Sequence, residues 1–340
     1  MSRVKQLTSV LIVDDEPSVR DLMARWVTSL GLEPSTASNA DEALDALSRT
    51  HYDLAVIDVM MPGHDGLWLA AEMQRHHPHT AVVIATAYTD LLSGNDKAAP
   101  VADLLVKPFQ RERFALAVDR GRQWRKQAID EVAWHARLSL ELRGRIEQIC
   151  ALLRQRTVDG RREADILSAF AEERQPETAV HAERVTRYAL SIARELGVST
   201  TIELEAAARF HDLGKAAMPD ALLTKPSPLT PGETAIMRRH VDVGAEILDA
   251  TRTLRAAAPI VLASHEWFGG GGYPRKLAGR TIPLGSRIIA VADAYDAMTQ
   301  DRAYRVRLNS TEAINELLRC CPAQFDPRVV DALLGVLGRH

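Results

Sequence analysis

The chain has 340 residues, long for a single ordinary domain, and its 46% hydrophobic and 26% charged residues are those of a water-soluble globular protein with more than one core. A formal net charge of −3 gives no general attraction to nucleic acid or anionic lipid, so a phosphate-bearing ligand has to be held by local cations. The start, MSRVKQLTSVLIVDDE, has a short apolar run before two aspartates, which fits neither a signal peptide nor a membrane span; a cytoplasmic protein without membrane insertion is expected.

The first 120 or so residues alternate short apolar runs with amphipathic stretches. The runs are Val10 to Val13, Leu54 to Ile57, Ala81 to Ala85 and Leu104 to Val106, and Ala40 to Leu47 is one of the stretches between them, opened by Asn39 and Glu42 as a capping box. This predicts an α/β doubly wound domain with a parallel sheet, in which ligands gather at the carboxyl ends of the strands. Asp14, Asp15, Asp58, Thr86 and Lys107 all stand at such ends and are expected to converge. A carboxylate can attack a phosphoryl donor, and crowded negative charge calls for a hard divalent cation. Asp14 and Asp15 would hold Mg²⁺ beside Asp58, Thr86 would hydrogen-bond a phosphoryl oxygen, and Lys107 would pair with the charge.

The runs LIVDDEP, VIDVMMPGHDGL, IATAY and LVKPF resemble the response-regulator receiver family over roughly residues 8 to 121. The resemblance implies a flavodoxin-like fold, a sensor histidine kinase as partner and Asp58 as the phosphoryl acceptor. Two positions depart from the pattern: Leu104 stands where an aromatic switch residue is usual, and Pro100 where a glycine is expected.

From Phe109 to about Glu173 the chain is charged, free of proline and helix-prone. Trp124, Ile129, Val132, Trp134, Leu138, Leu142, Ile146, Ile149 and Leu153 mark an imperfect apolar stripe. It suits either a dimerising coiled helix, hence a homodimer, or packing on the chain's own domains. The basic cluster Arg120, Arg122, Arg125 and Lys126 reads as a solvated helix face. Cys150, Cys320 and Cys321 lack metal-site spacing and read as structural thiols of a reducing compartment.

After Pro176 the reading is all-α, with Thr230-Pro231-Gly232-Glu233 as a helix start and the glycine-rich loop Phe268 to Pro274 as an interruption that can bring backbone close to a ligand. His181, His211, Asp212, His240, His265 and Asp293 provide mixed imidazole and carboxylate ligands, with Glu177 one helical turn before His181 and Lys215 one turn after Asp212. A shared carboxylate, Asp212, can bridge two cations that activate water, while Lys215 pairs with a phosphate oxygen, which is the chemistry of phosphodiester hydrolysis. Arg302 and Arg305 are candidate phosphate or guanine contacts.

Residues 176 to 335 resemble the HD-GYP branch of the HD phosphohydrolases, in ETAVH, FHDLGK, MPDALL, GAEIL, GYP, VADAYDAMT and DRAYR. The resemblance implies an HD-type fold, two or three transition metal ions, iron or manganese above others, and hydrolysis of cyclic di-GMP to pGpG or onward to GMP. It assigns Glu177, His181, His211, Asp212, His240, His265 and Asp293 to the metals. Lys215, Tyr273, Arg302 and Arg305 fall to the substrate, and a diguanylate cyclase domain protein is a further candidate partner. Ser264 stands where the family has a first histidine, so one coordination position is lost or filled by water, and Gly269 stands where the family has an aspartate, a change expected to loosen the GYP loop.

The organisation expected is therefore a receiver domain over 1–121, a helical connector over 122–175 and an HD-GYP domain over 176–340. The expected function is a phosphodiesterase controlled by phosphorylation of Asp58. The alternative is a weak or inactive HD-GYP domain acting as a cyclic-di-GMP-binding or protein-interaction effector, and a third reading keeps hydrolysis but takes another cyclic dinucleotide.

Overall fold

A computed structural model describes residues 9–87, 101–155, 160–174, 176–199, 201–301 and 307–338; side chains at 154–162 and 175–178 also lie outside the description. The chain divides into two compact units, Met1–Trp134 and His135–His340.

The first unit is the expected doubly wound α/β fold. Five parallel strands, β1 (Ser9–Val13), β2 (Glu33–Ala37), β3 (Leu54–Asp58), β4 (Ala81–Thr86) and β5 (Asp103–Val106), lie in the order β2-β1-β3-β4-β5. Helices α1 (Pro17–Ser29), α2 (Ala40–Arg49), α3 (Gly66–His76) and the start of the long α4 (Arg111–Gln155) cover its faces. Successive residues of β1 feed opposite cores: Leu11 and Val13 pack with Ala43, Leu69 and Met73, while Val10 and Ile12 pack with Met23, Val27 and Phe114. Burial on both faces is why the central strands read as unbroken apolar runs. β2, EPSTA, has no such run and carries a proline, which an edge strand tolerates.

The second half of α4 belongs to the second unit. Leu138, Leu142, Ile146, Ile149 and Leu153 are buried there, whereas Ile129 and Val132 in the first half are exposed. This part of the stripe thus packs on its own chain. The helices that follow are α5 (Gly160–Arg174), α6 (Pro176–Glu195), α7 (Ile202–Phe210), α8 (Asp220–Leu223), α9 (Pro231–Arg238), α10 (His240–Asp249), α11 (Ala258–Leu262), α12 (Leu284–Thr299), α13 (Ser310–Arg319) and α14 (Pro327–Leu337). α6 is the hub, packing against α7, α12 and α14, and its Val185, Ala189 and Ile192 are fully buried at helical spacing. The capping box at Thr230 and Glu233 forms as the sequence predicts, and Pro231 takes the first helical turn. Among the described residues, no helix is long and apolar enough to cross a membrane.

Candidate metal centres and phosphorylation site

In the first unit, Asp14 and Asp15 follow β1, Asp58 ends β3, Thr86 ends β4 and Lys107 follows β5. Adjacent parallel strands in register bring these ends together. Asp14, Asp15 and Asp58 form one cluster with oxygens within 4.8 Å of one another. Lys107 Nζ stands 2.7 Å from Asp14 Oδ2 and 3.0 Å from Asp58 Oδ1, so one ammonium lies against two buried carboxylates. Burial raises the Asp58 carboxyl above its ordinary range, Lys107 works against the rise, and Asp14 and Asp15 add to it. Thr86 is fully buried at its strand end. Gly66, in the DGL run after Asp58, has no room for a side chain: a Cβ there would stand 2.0 Å from the Asp58 carbonyl oxygen. Leu104 lies part-buried on β5 against the α2–α3 side of the core, and Pro100 is outside the described residues.

In the second unit the predicted ligands converge from several helices. His181 lies on α6, one turn before Val185 on the buried stripe, so the core itself aims it inward. His211 and Asp212 follow α7, Lys215 sits in the 3-10 segment Leu213–Ala217, His240 opens α10, His265 follows α11, and Asp293 lies on α12. Gly214 lets the 3-10 segment meet α10, since a Cβ there would stand 1.9 Å from the His240 carbonyl oxygen.

Two ligand groups result, His181–His211–Asp293 and Asp212–His240–His265, each with its donor atoms within 4.8 Å of one another. Asp212 faces both: its Oδ2 is 3.6 Å from His211 Nε2 and its Oδ1 is 3.6 Å from His240 Nε2. Lys215 Nζ lies 2.7 Å from Asp212 Oδ2.

The two halves differ in protonation: burial works to lower His181, but its hydrogen bonds to Asp293 and Asp296 push it up to about 9, so it has to give up a proton to take an ion. Burial holds His240 down at about 4 and also lowers His265, leaving both imidazoles neutral at pH 7. Burial opposes ionisation of Asp212, but the neighbouring groups, the Lys215 ammonium first among them, outweigh it and hold the carboxyl well below the usual carboxylate range. Asp293 is held at about 2 in the same way, chiefly by its hydrogen bond with His181. The Nε2 atoms of His211, His240 and His265 and Oδ1 of Asp212 are buried without a hydrogen-bond partner. Buried polar atoms left bare cost about 1–3 kcal/mol each, and four of them pointing into one pocket are what a set of ligands looks like. The residues present fit divalent metal ions.

Tyr273 lies flat against His265, with ring centroids 5.2 Å apart and planes 6° from parallel, and Arg238 stands 5.1 Å over the Tyr273 ring. Burial pushes the Tyr273 hydroxyl up to about 12, so it stays protonated and able to donate. Arg238 was not among the residues singled out by sequence; its only signal is its place two residues before His240. The Glu177 side chain, Arg302 and Arg305 lie outside the described residues.

Ser264 Oγ is buried and donates to the Val261 carbonyl at 2.8 Å. At Gly269, where the sequence suggested a looser loop, the chain is held by backbone contacts. The backbone N–H groups of Phe268 and Gly269 donate to Gln324 and Ala323 at 3.0 and 2.9 Å, and a Cβ at 269 would stand 2.8 Å from the Ala323 carbonyl oxygen. Buried Glu266 pins the far side of the loop by accepting from the backbone of Arg275 and Leu277 at 2.6 and 3.0 Å. The GYP loop is therefore tied by backbone rather than by a carboxylate at 269.

Two arginines outside any motif brace the Lys215 segment. Arg145 of α4 donates to the Met218 carbonyl at 2.6 Å, Arg174 of α5 donates to the Ala216 and Met218 carbonyls at 3.2 Å each, and both reach Asp220.

Residues 10–119 match the response regulator receiver domain family and residues 165–329 match the HD domain family. The chain is 32% identical over 339 residues to a cyclic di-GMP phosphodiesterase of Thermotoga maritima, covering 96% of this chain and 89% of the relative. It is 34% identical over 339 residues, 96% of this chain and 87% of the relative, to the cyclic di-GMP phosphodiesterase response regulator RpfG of Xanthomonas campestris pv. campestris. A 172-residue stretch, 49% of this chain and 33% of the relative, is 37% identical to the 3'3'-cGAMP-specific phosphodiesterase 2 of Vibrio cholerae.

Proposed function

Because the chain belongs to the family of response regulators that join a receiver domain to an HD-domain phosphodiesterase, we propose that it hydrolyses cyclic di-GMP to linear pGpG at the pocket around Asp212, under control of phosphorylation at Asp58. The observation that carries the reading is the pair of ligand groups sharing one pocket, with bare nitrogens turned inward. His181, His211 and Asp293 would hold one transition metal ion, iron or manganese, and His240 and His265 a second, with Asp212 between them; Glu177 remains the candidate for a third. When bound, such ions supply Lewis acidity and a water activated near neutral pH.

The protein's own groups do the rest. Lys215 stands at the edge of the pocket, one-third exposed, where its ammonium can pair with a nonbridging phosphate oxygen as charge builds on the phosphorus. Tyr273 offers a protonated hydroxyl and a ring face beside the ligands, and Arg302 and Arg305 are assigned to the substrate's phosphates or guanines. In the receiver, Asp58 would accept the phosphoryl group, Asp14, Asp15 and Asp58 would hold the Mg²⁺ that screens the charge, and Thr86 and Lys107 would contact the transferred group, whose −1.5 to −2 charge, roughly, is enough to reorder a loop or an interface. A sensor histidine kinase is the donor this implies, and a homodimer with a cytoplasmic location is the expected setting.

Ser264 favours a second reading. With its hydroxyl committed to Val261 it adds nothing to the ligand groups, which suits a slow or inactive domain that binds a cyclic dinucleotide as an effector. Product analysis separates the readings. The protein is loaded anaerobically with Fe²⁺ or Mn²⁺ and incubated with cyclic di-GMP or 3'3'-cGAMP, beside Asp212→Ala. Linear product from cyclic di-GMP in the wild type alone supports the enzyme; binding without product under every metal supports the effector; turnover of 3'3'-cGAMP alone moves the substrate. Phosphoryl label from acetyl phosphate that survives in Asp58→Asn would remove Asp58 from its role.

A further inference from the structure

The histidines of the metal pocket do not share one kind of support. His211 Nδ1 meets the Ala208 carbonyl at 2.8 Å and His240 Nδ1 meets the Met237 carbonyl at 2.9 Å, each three residues back in its own chain. A backbone carbonyl can only accept, so both rings carry the proton on Nδ1 and turn a bare Nε2 into the pocket. His181 is different. Its Nδ1 meets Asp296 Oδ2 at 2.7 Å, across to α12, and Asp296 is only 1% exposed. Arg184, three residues after His181 on α6, grips both oxygens of Asp296, Nε on Oδ1 at 2.5 Å and Nη2 on Oδ2 at 2.9 Å. Asp296 is in neither ligand group, although Asp293, three residues before it, is.

We infer that Asp296 and Arg184 are positioning residues for one half of the metal pocket: Asp296 accepts the Nδ1–H of His181 and so directs Nε2 toward the ion beside Asp293, while Arg184 holds the carboxylate in place. A carboxylate behind an imidazole fixes its tautomer and strengthens it as a donor. The bidentate arginine adds what the carboxylate alone lacks, a fixed direction and neutralisation of a buried charge. The His181–His211–Asp293 half therefore depends on a bracket that the Asp212–His240–His265 half does not use. The inference rests on the pocket being a metal centre.

The test is a Mn²⁺ titration of the chelator-treated full chain by calorimetry, in a background carrying Asp15→Ala to silence the receiver cluster. The parent, Asp296→Asn, Arg184→Gln, Arg184→Lys and a His181→Ala reference are compared, with the melting of each metal-free protein as a check on folding. Asp296→Asn and Arg184→Gln are expected to weaken one ion by about 10- to 100-fold and leave the other as in the parent, as His181→Ala does more severely, with Arg184→Lys recovering part of the loss. If Asp296→Asn fails to fold, Arg184→Gln carries the comparison. Affinities for both ions equal to the parent's, or both weakened alike, would make the bracket a mere staple between α6 and α12 and overturn the inference. A parent that binds no ion would instead remove the metal centre, and the inference with it.

Discussion

The two acidic clusters of this chain solve the problem of buried charge in opposite ways. In the receiver, the ammonium of Lys107 lies within 3.0 Å of two of the three clustered carboxylates, so part of the negative charge is met from within the chain. In the HD unit, Lys215 pairs with one oxygen of Asp212, but three imidazole nitrogens and the other oxygen face the pocket bare. A site with bare, buried donor atoms gains most from an ion, so metal loading there would add to the stability of the fold.

The largest effect expected is at Asp212, which both halves of the metal pocket share. Asp212→Ala should lower the turnover of cyclic di-GMP by about 10²–10³-fold or more, read by chromatography of the products, whereas Asp58→Asn should not produce a loss of that size. Next comes chelation. Removing the ions should lower the melting transition of the second unit, by about 2.7 kcal/mol for each site loaded at 100 times its dissociation constant, while the receiver transition moves far less. Calorimetry of the full chain with and without chelator resolves the two.

Lys107→Ala should make the receiver behave like the other site. The Asp58 carboxyl is already raised by burial, with Lys107 opposing the rise. A carboxyl whose folded pKa lies above its unfolded one stabilises the fold while protonated, and that contribution disappears as pH climbs through the folded value. Without Lys107 the rise is larger, so Lys107→Ala should lose more stability than the wild type as pH climbs above the ordinary carboxylate range, and Mg²⁺ should restore more of it. Equal pH profiles for the two proteins would count against this role of Lys107. The smallest effect belongs to the braces: Arg145→Ala or Arg174→Ala should cost the second unit about 1–2 kcal/mol, because each removes charged donors to backbone carbonyls at a partly exposed site. A chemical denaturation midpoint measures it.

How much of this was legible depended on whether a residue's partner lies close in sequence. Strand ends of a parallel sheet and the HDLGK run announce themselves by apolar runs and short spacings, so Asp58, Lys107, His211, Asp212 and Lys215 could be placed from the chain alone. β2 could not, because an edge strand with one solvent side needs no apolar run. Asp296 stood three residues after Asp293 in plain view, but its partners His181 and Arg184 lie 115 and 112 residues away, and spacing carries no information over that range. Arg145 and Arg174 serve backbone carbonyls, which have no sequence signature at all. At Gly269 the sequence shows a missing carboxylate but gives no sign of the backbone bonds from Phe268 and Gly269 to Gln324 and Ala323.

The most direct test of the account is to follow hydrolysis of cyclic di-GMP while Mn²⁺ or Fe²⁺ is added anaerobically to chelator-treated protein, counting bound ions in the same samples. The account predicts no linear product from ion-free protein and turnover that rises as the second ion loads. Undiminished hydrolysis in ion-free protein, or two ions bound at the Asp212 pocket with no product, would contradict it.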